Sequence, residues 1–207
     1  MMSMMSEQVI EKYGCTLTGL WPENSLEVLE QALSDFSAAF HLTLPLHLPW
    51  MHKLEIRLEN LVYGGLTFRG LIRLNPEGLS VWTVTHELGH AWDYSRMCLL
   101  SFRMMIVTGS AGAVPLLHAW QPLQKNFWYK VGDPPPPCGV DQNFNRFEDF
   151  AETVAAYVYP KEAFQRAVAS GSPYGHYGYT HFHQTPRGRF MADLAYSLQK
   201  QEMALTP

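Results

Sequence analysis

Between positions 24 and 40 apolar residues return at three- and four-residue steps, with Leu26, Leu29, Leu33, Phe36 and Phe40 following a capping-type Asn24 or Ser25. That period is helical, and the single apolar stripe predicts a helix packed against a core. At 54–58 the period changes to two, as Leu54, Ile56 and Leu58 alternate with Glu55 and Arg57. Gly64-Gly65 then interrupts, and 66–74 resumes as strand-like sequence, so two or three antiparallel strands are expected. Asn75-Pro76-Glu77 or Ser80 can open the next helix, over about 79–97, whose Val81, Trp82, Val84, Leu88, Ala91 and Trp92 predict a half-buried element.

From Thr108 to Asn145 the chain carries Gly109, Gly112, Pro115, Pro122, Gly132 and the run Pro134–Pro137. This density of breakers predicts a mostly irregular stretch with an extended polyproline segment. Helical periodicity returns at 146–158, at 161–169 and, after Pro186, at 187–202. Before the last helix lies an aromatic and histidine-rich patch, Tyr174-Gly175-His176-Tyr177-Gly178-Tyr179-Thr180-His181-Phe182-His183. The order of helix, small sheet, helix, loop and helices implies an α+β fold in which a small antiparallel sheet packs on the 79–97 helix and the C-terminal half is helical. One domain is expected over 1–207, with the sheet and that helix within about 50–100 and a helical part over about 141–207.

Composition narrows the class of partner. With 47% hydrophobic and 16% charged residues over 207 positions, the chain can bury a core and is not a disordered segment. A net charge of −4 without a Lys/Arg cluster argues against nucleic acid or an anionic membrane as partner. The N-terminal Met1–Glu7 lacks a basic region followed by an apolar one, and no apolar run reaches membrane-spanning length. The expectation is cytoplasmic synthesis, with which a signal-independent export route remains compatible. Cys15, Cys98 and Cys138 are widely spaced and odd in number, which suits a reducing compartment and plain thiols.

The chemistry concentrates in His86-Glu87-Leu88-Gly89-His90. Histidines at i and i+4 project from one helix face, close enough for both imidazoles to reach one zinc ion. Glu87 is rotated about a third of a turn away and suits a general base acting on a water at that metal. Asp93, seven residues after His86, lies on the same face; it can hold an imidazole from behind or, in a rarer arrangement, bind the metal itself. A catalytic zinc needs a third protein ligand. The metzincin extension would place Gly and His where this chain has Asp93 and Arg96, so that class is excluded. Glu148 and Glu152, one turn apart on the 146–158 helix, are the candidates; one can bind zinc while the other holds a histidine or the helix in register.

These residues carry a resemblance. His86-Glu87-Leu88-Gly89-His90-Ala91-Trp92-Asp93, followed by Glu148-Asp149-Phe150-Ala151-Glu152, resembles the gluzincin zinc metallopeptidases related to anthrax lethal factor and the Pro-Pro endopeptidases. The resemblance implies a zincin-like fold, one zinc per chain held by His86, His90 and Glu148, Glu87 as base, and Glu152 as a carboxylate supporting the ligands. It covers under a tenth of the chain. Those families place a tyrosine seven residues before the ligand glutamate, where this chain has Asp141. An oxyanion donor is therefore expected elsewhere, with Tyr174, Tyr177, Tyr179, His176, His181 and His183 as candidates.

The expected function is zinc-dependent hydrolysis of peptide bonds, as an endopeptidase in first place and an aminopeptidase in second, acting on a peptide or protein laid beside the 66–74 strand. The main alternative is a zincin-like metal-binding domain of weak or no activity serving a binding or regulatory role. Hydrolysis of non-peptide amides is a third reading. Cys138 directly after four prolines could cap a metal from a rigid loop, but a plain thiol on a stiff loop is the preferred reading.

Overall fold

The computed structural model describes residues 4–41, 54–109, 120–124, 127–130, 134–137 and 144–205. It is α+β, and the chain divides into two compact units: Met1–Met97 with Ala195–Pro207, and Cys98–Leu194.

In the first unit, α1 (Met4–Tyr13), β1 (Thr16–Gly19) and α2 (Glu23–Phe40) precede β2 (Glu55–Leu58), β3 (Gly65–Phe68), β4 (Leu71–Leu74) and α3 (Val81–Ser95). The sheet order is β1-β2-β4-β3, so β3 is an edge strand among the described residues. The expectation of an antiparallel sheet is corrected: the sheet is mixed. β1–β2 and β2–β4 are parallel, and only β3–β4 is antiparallel. The reason lies in the connections. α2 stands between β1 and β2, a crossover that returns the chain in the same direction, whereas β3 and β4 are joined by Arg69-Gly70 alone. Both turn residues have positive φ, 45° and 87°, the conformation that closes a two-residue hairpin without splaying right-twisted strands.

The helix at 24–40 forms as expected and buries the predicted stripe of Leu26, Leu29, Leu33, Phe36 and Phe40. α2 and the inner face of the sheet pack on α3. Trp92 meets Phe36 at 5.7 Å and Phe40 at 4.9 Å between ring centroids, both edge to face, an arrangement that adds to the energy of area burial. Ile56, Leu58, Ile72 and Leu74 are the alternate, buried positions of β2 and β4. Ser80 supplies the N-cap of α3 by accepting from the Thr83 N–H at 3.1 Å. Asn75 caps a single 3-10 turn at 76–78 instead, so the two caps foreseen for one helix serve two elements.

The second unit contains α4 (Leu99–Thr108), β5 (Trp120–Gln124), β6 (Phe127–Lys130), α5 (Arg146–Val158), α6 (Pro160–Ser170) and α7 (Pro186–Leu205), the last continuing past Ala195. α5 has the bounds its periodicity predicts, and α6 and α7 lie within a few residues of theirs. The expectation that 108–145 is mostly irregular is corrected for part of its length, since β5 and β6 pair antiparallel with an irregularity between Pro122 and Gln124. Aromatic residues at Trp120, Phe127, Trp128 and Tyr129 favour strand more than the neighbouring prolines oppose it. Phe127 packs edge to face on Phe144 at 4.9 Å. Residues 134–137 have no regular structure, and Pro135, Pro136 and Pro137 are buried. α5 packs on α4 and α6, with Phe150, Ala151, Val154 and Ala155 inside. Short 3-10 segments at 173–176 and 179–184 pack on α6. The start of α7 presses on the second of them so closely that a Cβ at Gly188 would lie 2.1 Å from the Phe182 carbonyl oxygen. No helix among the described residues is long and apolar enough to cross a membrane.

Candidate metal centre

α3 brings both histidines to one point. Their Nε2 atoms lie 3.1 Å apart with ring planes at 80°. Two imidazoles sharing a tetrahedral zinc would hold their nitrogens about 3.3–3.4 Å apart, given Zn–N distances of about 2.0–2.1 Å. His90 is 9% exposed and His86 half-buried.

Glu87, on the neighbouring face of the helix, lies against β3. It is 5% exposed, and the Thr67 hydroxyl donates to its carboxylate at 2.6 Å while lying 3.2 Å from its carbonyl oxygen. Gly65 makes the space: a Cβ there would stand 2.5 Å from Glu87 Oε1 and 2.7 Å from its Cγ. β3 thus inverts the usual pattern of a half-buried strand. Gly65 and Thr67 occupy the face toward α3, and Leu66 and Phe68 are exposed at 45% and 61%. Periodicity reads 66–74 only as strand. The signal that could have found this contact is the small and polar identity of alternate positions 65 and 67 next to apolar 66 and 68.

Asp93 is buried in the last turn of α3, at 2% exposure. Glu148 sits half-buried in the first turn of α5, where the helix macrodipole favours an anion. Asn145 caps this helix through its Oδ1, which accepts from Phe147 N at 2.8 Å and from Glu148 N at 3.4 Å. Glu152 follows one turn later, half-buried. Between them Asp149 is buried and committed elsewhere: Arg187 Nε and Nη2 donate to its two carboxylate oxygens at 2.7 and 2.9 Å. Neither Asp149 nor Arg187 stands out in the sequence reading, because their pairing spans 38 positions and follows no local period.

One ligand atom each of His86, His90 and Glu148 lies within 4.8 Å of the others, and this trio could hold a metal ion. Two imidazoles and a carboxylate are a donor set used by catalytic zinc, and the histidine spacing fits that ion. Asp93 and Glu152 are not members of the trio.

The oxyanion candidates differ in their surroundings. Tyr174 is buried, stacked on Tyr177 at 6.4 Å between centroids. His176, Tyr177 and His181 line a cavity of about 380 Å³ with Pro134, Gln184 and Arg189. His183 is exposed and packs edge to face on Tyr157. The side chain of Tyr179 lies outside the described residues, as do Asp141 and Cys138. Burial raises the Tyr129 and Tyr157 phenols above their ordinary range, Tyr129 with a further push from Tyr177. Cys15 is a buried thiol and Cys98 a half-buried one.

Compared with protein-family models, with curated proteins and with solved structures, the chain matches none.

Proposed function

We propose that the protein is a zinc-dependent peptidase, with His86, His90 and Glu148 as ligands and Glu87 as general base. The observation that carries this reading is the convergence of two imidazoles and one carboxylate beside a buried glutamate whose position a threonine hydroxyl fixes. A bound zinc would supply Lewis-acid activation of a water and of the scissile carbonyl. Glu87 would be the base that takes a proton from the attacking water and returns it to the leaving amine. Thr67 holds one carboxylate oxygen of Glu87, leaving the other to reach the water. A base and a three-ligand set together favour hydrolysis over a purely structural metal, which needs ligands but no base.

The edge position of β3 among the described residues supports a peptide substrate, because an extended chain can add to a strand edge, and Leu66 and Phe68 offer apolar side chains there.

Zinc content and cleavage of a mixed peptide library test the reading together. Wild type should carry about one zinc per chain, the stoichiometry of a single three-ligand site. His86→Ala and Glu148→Ala should each bind the metal far more weakly, through the ligands that remain. Glu87→Gln should keep it and cut about 10²–10⁴-fold more slowly. Wild-type metal affinity in Glu148→Ala removes that residue from the ligand set. Equal behaviour of wild type and Glu87→Gln on the library favours the non-enzymatic metal-binding domain.

A further inference from the structure

We propose that Arg187 is a positioning residue for Glu148, acting through Asp149. The inference rests on the reading of Glu148 as a metal ligand.

Glu148 stands in the first turn of its helix, where backbone N–H groups have no intrahelical partner and the helix frays most readily. A side chain there keeps a fixed direction only if something outside the helix sets its start and its rotation. Asn145 sets the start, by accepting from Glu148 N. The rotation is set one residue on. Asp149 points inward and receives both prongs of the Arg187 guanidinium, with the pair 1% and 3% exposed. A bidentate fork constrains the carboxylate plane as well as its distance, which a single contact does not. Successive residues on a helix are separated by about 100°, so locking Asp149 inward locks Glu148 at its own angle.

Arg187 is itself well held. It lies in the first turn of α7, and its Nη1 donates to the Pro134 carbonyl at 3.3 Å. Gly188 lets that turn sit hard against the segment at 179–184. The fork therefore joins three separate stretches of the second unit: the proline run, the start of α5 and the start of α7. A buried ion pair is a poor device for stability alone, since well-packed apolar residues often do as well. A directional link beside a proposed ligand is a use for which an apolar contact would not serve.

The test is a double-mutant cycle on metal affinity, using the full chain, zinc titration and the visible spectrum of the cobalt-substituted protein. Arg187→Lys keeps the charge but removes the fork. It should fold with a cooperative transition, weaken zinc about 10–100-fold, as loss of a ligand-supporting contact does, and alter the cobalt spectrum. In a Glu148→Ala background the same change should leave affinity unaltered, because the residue through which it acts is gone. Arg187→Met should behave likewise with a larger effect; if it does not fold, the lysine variant decides. Equal weakening by Arg187→Lys in both backgrounds, or unchanged zinc affinity and cobalt spectrum with Glu148 present, overturns the positioning role and leaves the metal reading intact. A wild type that binds no zinc, or a Glu148→Ala protein that binds it as wild type does, overturns both.

Discussion

The two helices that carry the proposed ligands are held by opposite means. α3 is embedded by apolar packing: Trp92 wedges against Phe36 and Phe40, and Val84 and Leu88 are buried with it. Its two histidines lie in mid-helix, with hydrogen-bonded turns on both sides. α5 presents Glu148 from its first turn and secures it with polar contacts, the Asn145 cap and the Asp149–Arg187 fork. Apolar packing is insensitive to direction and tolerant of small changes, whereas the polar clamp is directional and fails when one partner goes. A ligand in the middle of a packed helix needs no special holder. A ligand at a helix end does.

That contrast can be broken most severely at the clamp. Asp149→Ala strands the Arg187 guanidinium in the interior and should cost about 3–5 kcal/mol of folding stability. Denaturant unfolding should register the loss, and a cost under about 1 kcal/mol would mean that Arg187 finds water or another acceptor. Next in size is an effect on turnover rather than stability. Gly65→Ala places a methyl against the Glu87 carboxylate, the end of a flexible side chain that can swing aside. Melting temperature should barely move, while peptide cleavage should fall by up to about 100-fold, as expected when a reacting group shifts by about 1 Å. Unchanged cleavage would show that Glu87 works from the displaced position. The smallest effects compare the caps. Ser80→Ala and Asn145→Ala should each lower stability by about 1 kcal/mol. Only Asn145→Ala should also weaken metal binding, because its cap bonds the Glu148 backbone while the Ser80 cap lies six residues from His86. Equal metal affinity in the two variants would erase the difference between the helices.

Much of this arrangement is legible in the chain because it is local. The stripe from Leu26 to Phe40, the alternation at Leu54, Ile56 and Leu58, and the bounds of α5 depend on spacings of two to four residues, and the structure keeps them. The pairing of His86 with His90 is of the same kind, since one helical turn brings them together wherever the helix lies. Strand direction is not local. The alternation at 54–58 is the same in a parallel or an antiparallel sheet; β2 became parallel to β1 because α2 returns the chain in the same direction, and parallel to β4 because the chain reverses twice between them, before and after β3. The hairpin of β5 and β6 was hidden for a related reason. Prolines and glycines around it weigh against structure position by position, but pairing of aromatic-rich strands is a property of two segments.

By itself, then, the sequence determined α2, α3, α5, α6 and α7, though not α1 or α4, the burial of the apolar positions of α3, the placing of two imidazoles on one face with a glutamate beside them, and the presence of two further carboxylates one turn apart. Each follows from helical geometry over a few residues. Tertiary structure alone decided which face of β3 meets Glu87, so that Gly65 and Thr67 became its bed and its hydrogen-bond donor. It also gave Asp149 to Arg187 and left Glu148 in the group that could hold a metal ion. Neighbouring carboxylates are chemically alike in the sequence. Burial, and the arrival of an arginine from 38 residues away, made them different.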